Sequence, residues 1–458
     1  MLAFFQHHRQ LLSLILIWVV VTIYLTPLIY ALLPLSAFYL RAQDRWTDLL
    51  IGFLMVLVLS DMDPGLVPFR AIKSAKYGLM IAISIIYFLD TARFTPQAGL
   101  FPFFLPFFIY AFFPLVKSGE VIQGASKTIS YGLLYLVIPN YVIMVFRRDG
   151  WSFFRNYFFF LVLILVLPYF LKYAQSWWVY MAGRYHGLFG NPNGLGIFCF
   201  LNFMLFSVCT YLNKELFNFR EKVLIQGVLV WMLVMAGSRT AVVASGLFFL
   251  FSRFFALSPF IGFIVFLAFA ASIEYAQNNL VQIIQTFGLQ KFFRVETLES
   301  GSGRYFAWTF AWSKINTDGF FLTGGGFGND EYVMRQNYDY LRSQGHDGGV
   351  HNSYLTMWFN TGLIGIMLYF YGFFTAFLAA NKKAPIAFAV MFAVLFSVLY
   401  ESWLTGSLNP YTIILLTILT MLTEDDVVNW RERALQVPEG EEEQPEEPPV
   451  PQLILPAR

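Results

Sequence analysis

The segment that decides how this chain is organised runs from residue 300 to residue 365. It reads SGSGRYFAWTFAWSKINTDGFFLTGGGFGND over residues 300–330 and, after a polar run, GGVHNSYLTMWFNTGLIGI over residues 348–366. Almost all of the remaining sequence is apolar, so any polar chemistry is expected in this segment. Arg304 and His351 are its most conspicuous residues, and His351 stands at the start of an apolar run.

The composition around this segment is typical of an integral membrane protein. Hydrophobic residues make up 58% of the 458 residues, and charged residues only 13%, against about 25% in soluble domains. The apolar runs suit helices of about 20 residues that cross a hydrocarbon core of roughly 30 Å. Their uninterrupted character excludes the alternating pattern of a membrane barrel. The sequence therefore predicts an all-α, polytopic transmembrane helical bundle, whose partner is the lipid bilayer and not nucleic acid.

The apolar segments predict about 12 to 14 spans. The first segment is long enough for two short spans. The segments lie near residues 11–40, 49–60, 76–90, 98–116, 128–146, 153–172, 187–211, 223–236, 240–254, 258–275, 353–380, 385–402 and 410–423. Between the tenth and eleventh segments, residues 276–352 form the one long loop that the sequence predicts. Within it, Ser300 or Ser302 is expected to cap a helix that carries Arg304. The helical spacing of Tyr305, Trp308 and Trp312 suggests that this helix lies at the lipid interface.

Clusters of basic residues predict the orientation of the spans, because Lys and Arg favour cytoplasmic loops. The clusters that flank short loops are Arg147, Arg148 and Arg155; Lys214, Arg220 and Lys222; and Lys382 and Lys383. If these are cytoplasmic, the spans alternate consistently from residue 128 onward and the loop 276–352 lies outside. Residues 61–76 do not fit this scheme, because Arg70, Lys73 and Lys76 would prefer the inside.

The two cysteines and the two ends of the chain add three smaller expectations. Cys199 and Cys209 share one apolar run, without the spacing of a metal site, so neither a disulfide nor a bound metal is expected. The N-terminus lacks a small-residue cleavage site, which indicates a retained first span. Residues 431–458 include the acidic, proline-rich run EGEEEQPEEPPVPQ and are expected to form a disordered cytoplasmic tail.

Three arginines stand at predicted span ends on the same side of the membrane. Arg184 lies in GRYHGLFGNPNGLGIF, Arg239 in AGSRTAVVASG and Arg304 in SGSGRYFAW. Guanidinium groups bind phosphate oxygens in a bidentate manner, so three converging arginines would suit a diphosphate. The alternative is that each one reaches a lipid headgroup or pairs with an acid. That alternative is weaker for Arg239, which has no acid nearby in the sequence.

A histidine on the same side is a candidate general base, because an unperturbed imidazole titrates near pH 6.5, about neutrality. His351 precedes Asn352 and Ser353 at the start of a helical run. His186 and His346 lie on the same face, and the residues alone do not choose among the three. Each of them has a structural role as its alternative.

The other polar motifs are more typical of structural features than of a catalytic site. The glycines of TGGGFGND lack the GK[ST] ending of a phosphate-binding loop, so they predict a turn. Asn191, Pro192 and Asn193 either start a helix with an asparagine cap or form the polar lining of a pocket. The sequence shows no DxD-like metal site and no nucleotide-binding loop, so a donor substrate would have to arrive already activated. A lipid-linked diphosphate meets that requirement.

Five pieces of sequence together resemble the O-antigen ligase and O-antigen polymerase superfamily of bacterial membrane glycosyltransferases. In chain order they are GLFGNPNGLGIF, GSRTA, SGRYFAWTFAW, FLTGGGFGN and VHNSYLTMWFNTGLIG. Each piece alone is weak, but their order and the long loop before the last one make the set specific. The resemblance covers roughly residues 180–370.

This resemblance implies a donor, a location and a set of site residues. The donor would be a glycan linked to undecaprenyl diphosphate, used on the periplasmic face of the bacterial inner membrane without metal or cofactor. Arg184, Arg239 and Arg304 would bind the diphosphate, and His351 would be the essential histidine. Asn191 and Asn352, which stand inside the matching motifs, are further candidates for substrate binding.

The resemblance also frames the domain organisation and the alternatives. Residues 1–430 would form one transmembrane glycosyltransferase domain that includes the loop 276–352. The acceptor would be the lipid A core for a ligase, or a second lipid-linked glycan for a polymerase, with a protein hydroxyl as a third choice. A transporter would instead show paired half-repeats, and the sequence shows none. Three acids, Asp90, Glu274 and Glu401, lie near span ends.

Overall fold

The computed structural model describes residues 2–62, 69–90, 99–258, 260–269, 272, 286, 304–346, 348–405 and 408–431. In these residues the chain is a bundle of helices, and the only paired strands are β1 (Tyr180–Met181) and β2 (Arg184–Tyr185). Five of the described helices are long and apolar enough to cross a membrane. The predicted all-α, polytopic bundle is therefore confirmed.

The first half of the chain supplies eight described helices. They are α1 (Leu2–His7), α2 (Arg9–Tyr24), α3 (Ile29–Ala42), α4 (Trp46–Ser60), α5 (Arg70–Leu89), α6 (Phe101–Tyr110), α7 (Val121–Asp149) and α8 (Trp151–Val166). Short 3-10 segments lie at Thr26–Leu28, Phe113–Lys117, Leu167–Tyr173 and Ser176–Trp178. The predicted long first segment is indeed two short helices, because the chain turns at Leu25 between α2 and α3.

The second half carries the helices that surround the conspicuous polar segment. They are α9 (Pro192–Leu212), α10 (Phe219–Ala236), α11 (Arg239–Leu257), α12 (Phe260–Phe269), α13 (Arg304–Thr317), α14 (Asn329–Gln336), α15 (Tyr338–Ser343), α16 (Ser353–Lys383), α17 (Ile386–Tyr400), α18 (Pro410–Thr423) and α19 (Asp425–Val428). Every predicted apolar segment coincides with a helix in the described residues. Helices α4 and α18 are buried along their whole length, as expected of helices that are apolar on all faces.

The predicted basic clusters lie together at one end of the bundle, called here the basic end. Arg155 pairs with Glu221 between α8 and α10. Arg147 at the end of α7 pairs with Asp426, and Lys383 at the end of α16 pairs with Asp425 at 2.9 Å. Helices α9, α11, α16 and α18 therefore all begin at the opposite end, called the site end. The assignment of the basic end to the cytoplasm stays a prediction.

The junction of α4 and α5 lies at the site end, against the preference of its lysines. Lys76 is buried there, and its Nζ donates to the carbonyl of Leu408 at 2.7 Å and to Ser60 Oγ at 3.4 Å. Its charge is thus satisfied by the protein rather than by a lipid surface. This internal solvation explains why a sequence rule about loop charges does not describe this junction.

Helix α16 is broken at Gly362, where φ is 67° and ψ is −176°. The glycine loop between α13 and α14 pairs with the break: the Gly326 N–H donates to the Asn360 carbonyl at 2.7 Å, and the Leu363 N–H to the Phe321 carbonyl at 2.8 Å. A Cβ on Gly324 would lie 2.4 Å from the Asn360 carbonyl oxygen. The predicted glycine turn is present, and it satisfies backbone groups that the break leaves without helical partners.

The segment after residue 303 forms the predicted helix with Arg304 at its first position. Two of its aromatics contact protein groups: Trp308 donates to the Val350 carbonyl at 3.0 Å and Trp312 meets the ring of Trp358 at 5.1 Å. Tyr305 and Trp312 are exposed, at 74% and 41%, and the position of this helix at the lipid interface stays a prediction. The proposed caps Ser300 and Ser302, most of the loop before them, and the tail beyond residue 431 lie outside the described residues.

Candidate active site

The candidate site is built around the carboxylate of Glu401. Glu401 directly follows α17, where the backbone is extended and a hydrogen bond from Ser353 Oγ to its carbonyl, at 2.8 Å, joins it to the start of α16. Its side chain is buried, with 9% exposed. A buried carboxylate needs charged or hydrogen-bonding partners, and α9, α13 and the turn before α16 supply them.

Arg304 is the first of these partners. Its Nη2 donates to Glu401 Oε1 at 2.6 Å, and its side chain is 19% exposed. The contact is a charge-assisted hydrogen bond in a mostly water-excluded position, where electrostatic interactions are stronger than at the surface. A guanidinium has five N–H donors. Arg304 can therefore hold Glu401 and still present donors to an anion.

His351 is the second partner. Its Nδ1 lies 3.6 Å from Glu401 Oε2, and 35% of the side chain is exposed. Its backbone φ is +51°, a left-handed conformation that costs a residue other than glycine about 1 to 3 kcal/mol. The turn is fixed on both sides, by the bond of Trp308 to Val350 and by Asn352, which caps α16. Such enforced strain is a feature of functional positions.

Arg184 joins the site through Asn193. Its Nε donates to the Ala236 carbonyl at 2.8 Å, which fixes the side chain against the end of α10. Its Nη2 donates to Asn193 Oδ1 at 2.8 Å, and Asn193 Nδ2 donates in turn to Glu401 Oε1 at 3.0 Å. Residues that are far apart in the sequence, Arg184 and Glu401, are thus linked through one amide.

Arg239 is the third predicted arginine, and its guanidinium group has no polar partner in the described residues. It is the first residue of α11, directly after the turn at Gly237 and Ser238. Its side chain is exposed, and it makes no hydrogen bond or ion pair within the described part of the chain. It lies close enough to Arg304 for the two positive charges to repel each other. An anion bound between them would remove that repulsion.

The two predicted substrate-binding asparagines are helix caps in the structure. Asn191 Oδ1 accepts the Gly194 N–H at 2.9 Å, and Asn352 Oδ1 accepts the Leu355 N–H at 3.0 Å. Of the two sequence interpretations of Asn191, capping is the one observed. Contact of either residue with a substrate stays a prediction. Asn193, two residues further on, is the asparagine that faces Glu401.

The other two candidate histidines are buried and bound to backbone. His186 Nδ1 contacts the Phe189 carbonyl at 2.6 Å, and His346 Nε2 contacts the carbonyls of Gly348 and Gly349 at 2.9 and 3.0 Å. His351 is the partly exposed histidine beside a carboxylate. Gly348 leaves room for its ring, because a Cβ there would lie 2.5 Å from His351 Nε2.

The sequence interpretation missed Glu401 as a site residue. Glu401 was noted only as an acid near a span end, because no basic residue stands near it in the sequence. Asn193 was one of the residues considered for the lining of a pocket, but it was not among the predicted site residues. Within the described residues, no three His, Cys, Asp or Glu side chains are grouped as metal ligands.

Comparison with known protein families identifies one domain in this chain. A family model described as O-antigen ligase matches residues 224–370. The matched range includes Arg239, Arg304 and His351, whereas Arg184 and Glu401 lie outside it. The resemblance inferred from the motifs is therefore confirmed. No curated protein matches the chain.

Proposed function

We propose that this chain, whose residues 224–370 match the O-antigen ligase family and support the resemblance to the O-antigen ligase and polymerase superfamily, transfers a glycan from a lipid diphosphate to a hydroxyl group. The observation that carries the proposal is the convergence at Glu401. Arg304 and His351 contact its two carboxylate oxygens, and Arg184 reaches it through Asn193. Arginines that can stabilise a leaving group thus lie close to a histidine that can act as a base toward an acceptor.

The donor is proposed to be a glycan on undecaprenyl diphosphate. Arg184, Arg239 and Arg304 would bind its phosphate oxygens, for which guanidinium groups have the right geometry. Arg239 is exposed and repelled by Arg304, so it gains most from an anion. The lipid chain would remain in the bilayer, which explains why such a site lies at the end of a membrane bundle.

The base is proposed to be His351. Because its Nδ1 faces Glu401, its Nε2 is the nitrogen that can accept a proton from the acceptor hydroxyl. Glu401 would stabilise the imidazolium that results, and their 3.6 Å contact, longer than a hydrogen bond, is expected to shorten on protonation. Glu401 would act as a positioning residue for both His351 and Arg304.

The proposed step is a single displacement at the anomeric carbon. The acceptor oxygen forms a bond to that carbon while its proton moves to His351 Nε2. The bond from the anomeric carbon to the diphosphate oxygen breaks, and the electron pair leaves with undecaprenyl diphosphate. Attack opposite the leaving group inverts the anomeric configuration. The arginines stabilise the negative charge on the leaving group, where fixed charges in a water-poor site are most effective.

The acceptor is proposed to be the lipid A core, which makes the protein a ligase. The description of the matching family as O-antigen ligase supports this choice. The same residues would serve a polymerase, whose acceptor is a second lipid-linked glycan, and a protein hydroxyl is the third choice. The proposed location is the bacterial inner membrane with the site on the periplasmic face. The gathering of basic residues at the opposite end supports it.

The domain organisation is proposed on the same grounds. Residues 1–430 would act as one glycosyltransferase domain, since Arg184 and Glu401 lie outside the matched range but bond to Ala236 and Arg304 within it. Residues 431–458 would be an acidic cytoplasmic tail, because the chain reaches the basic end before residue 431.

The first test is transfer by the purified protein in lipid nanodiscs. A lipid-linked diphosphate oligosaccharide would be offered with lipid A core or with a second lipid-linked unit. Wild type would be compared with His351→Ala and with His7→Ala, an exposed histidine at the N-terminus, as the matched control. Transfer to core that is lost only in His351→Ala supports the ligase with a histidine base.

The other outcomes are equally informative. Growth of lipid-linked chains makes the protein a polymerase with the same site. Transfer that persists in His351→Ala at the wild-type rate contradicts the assigned base. Intact protein that transfers to neither acceptor contradicts the proposed function and directs attention to a protein acceptor or to transport.

A further inference from the structure

Two aromatic residues lie directly beside the residues of the proposed reaction. Trp308 is one helical turn after Arg304 on α13, and Tyr400 is the residue before Glu401 at the end of α17. Their ring centroids are 6.4 Å apart, with an angle of 40° between the ring planes. The ion pair of Arg304 and Glu401 thus bridges the same two helices as this aromatic pair, which we call the aromatic shelf.

The shelf is fixed relative to His351. Trp308 Nε1 donates to the carbonyl of Val350 at 3.0 Å, and Val350 precedes His351. The indole cannot turn without breaking that bond, so it keeps one orientation relative to the segment that carries His351. The ring of Tyr400 packs against the ring of Phe396, with ring centroids 5.6 Å apart.

Trp308 differs in its contacts from the next tryptophan on its helix. Trp312 packs against the rings of both Phe321 and Trp358. Trp308 meets only the ring of Tyr400 within the described part of the chain, and it is partly exposed. Both tryptophans keep exposed surface, 41% of the residue for Trp312, but Trp308 is the one bonded to the segment that carries His351.

We infer that the aromatic shelf binds a pyranose ring of the acceptor glycan, an inference that rests on the proposed function. The C–H face of a pyranose is apolar and packs on an aromatic ring, while its hydroxyl groups bind polar residues at the edge. His351 and Glu401 are the polar residues at the edge of this shelf. A sugar seated on Trp308 and Tyr400 would present a hydroxyl to His351 Nε2.

The position of the shelf assigns it to the acceptor rather than to the donor diphosphate. Arg184 reaches Glu401 through Asn193 on α9. Trp308 is bonded instead to the segment that carries His351, the group proposed to take the proton of the acceptor. Arg184 and the aromatic shelf thus reach the same carboxylate from different elements, while Arg304 shares α13 with Trp308. A two-substrate displacement requires that its two substrates meet at such a shared point.

The test separates the ring face of Trp308 from its hydrogen bond. Trp308→Leu removes both, whereas Trp308→Phe keeps an aromatic face and loses only the bond to Val350. Trp308→Leu is expected to raise the acceptor KM about tenfold with an unchanged donor KM, and Trp308→Phe to stay within about threefold of wild type. Tyr400→Leu and Tyr400→Phe should show the same contrast, and Trp312→Leu is the matched control on the same helix.

Two results would overturn the inference. If Trp308 only positions His351, Trp308→Phe and Trp308→Leu will lower kcat to the same extent and leave the acceptor KM unchanged. If Trp312→Leu raises the acceptor KM as much as Trp308→Leu does, the effect is a general loss of packing in α13.

A measurement that needs no transfer distinguishes this inference from the proposed function. Saturation-transfer NMR would follow a delipidated core oligosaccharide with the protein in nanodiscs. Ring-proton signals that disappear in Trp308→Leu support the shelf, even if wild type transfers nothing and the proposed function fails. Transfer by wild type with unchanged signals and acceptor KM in Trp308→Leu overturns the shelf alone. Absence of signals with wild type overturns it as well.

Discussion

The two ends of this bundle use their arginines differently. At the basic end, Arg148 pairs with Asp44 and Arg155 with Glu221, and the arginine side chains are 41% and 49% exposed. Each of these arginines pairs with a separate carboxylate. At the site end, Arg304 is 19% exposed and shares Glu401 with His351 and, through Asn193, with Arg184.

This difference shows that convergence, rather than the presence of arginine, marks the candidate site. Exposed ion pairs contribute about 0 to 1 kcal/mol, because water and salt screen them. A buried pair is costly to break, since the remaining charge loses its partner without regaining water. A protein keeps such a shared, buried carboxylate at some cost in stability, and a function at the site end accounts for that cost.

The largest expected effect is the loss of Arg304. Arg304→Ala should reduce transfer about a hundredfold, on the order of 3 kcal/mol of barrier, because a donor to the leaving diphosphate is lost. It also leaves Glu401 without its ion pair, so the thermal unfolding temperature must be measured alongside. Arg304→Lys keeps the charge and should recover part of the rate. A folded Arg304→Ala protein with full transfer activity would refute the assignment.

A second buried carboxyl at the site end predicts a pH effect on stability. Burial, and then repulsion from Glu331, raises the pKa of the Asp330 carboxyl on α14 from 3.8 to about 6. Between these values the folded protein binds more protons than the unfolded chain, so wild-type stability falls as the pH rises through 6. Above that pH the buried carboxylate costs up to about 3 kcal/mol.

Asp330→Asn removes the titrating carboxyl group. The amide oxygen can still accept the hydrogen bond from Asn360 Nδ2, which lies 2.9 Å from Asp330 Oδ1 in the wild type. The variant should be more stable than wild type above pH 6 and equal to it near pH 4. Thermal unfolding in detergent from pH 4 to pH 8 measures the difference. A difference that does not change with pH would show that Asp330 does not titrate in this range.

A smaller effect is expected when the shared carboxylate becomes neutral. Glu401→Gln keeps the shape and an oxygen for Asn193 but removes the charge that positions Arg304 and His351. The expected result is roughly a tenfold lower kcat, about 1.4 kcal/mol, with a donor KM near that of wild type. The kinetic constants for donor and acceptor, measured separately, would check it. Wild-type kcat in Glu401→Gln would mean that the carboxylate serves only packing.

The smallest effect is expected at the basic end. Arg155→Gln breaks the pair with Glu221, which joins α8 and α10 at an exposed position. Unfolding free energy should change by less than about 1 kcal/mol, and transfer should stay within about twofold of wild type. A larger loss of transfer than that of Glu401→Gln would remove the contrast between the two ends.

The sequence predicted the helices well because the membrane imposes a strong pattern. Each apolar segment became a helix, and the glycines at 324–328 became a turn, since only glycine tolerates positive φ without cost. The lysines of residues 61–76 do not follow the topology rule, because Lys76 is solvated by protein groups. The aromatics at 308 and 312 predicted a helix at the lipid interface, and the structure adds protein contacts from Trp308 to Val350 and from Trp312 to Trp358 on α16.

The sequence by itself determined the class of fold, the family resemblance, and the candidates Arg184, Arg239, Arg304 and His351, because residue type and local motif suffice for these. Only the tertiary structure decided that Arg184, Arg304 and His351 meet around Glu401. Glu401 has no basic neighbour in the sequence, and its partner Asn193 lies 208 residues earlier in the chain. Helix packing brings them together, and no local pattern encodes which distant side chains share a buried carboxylate.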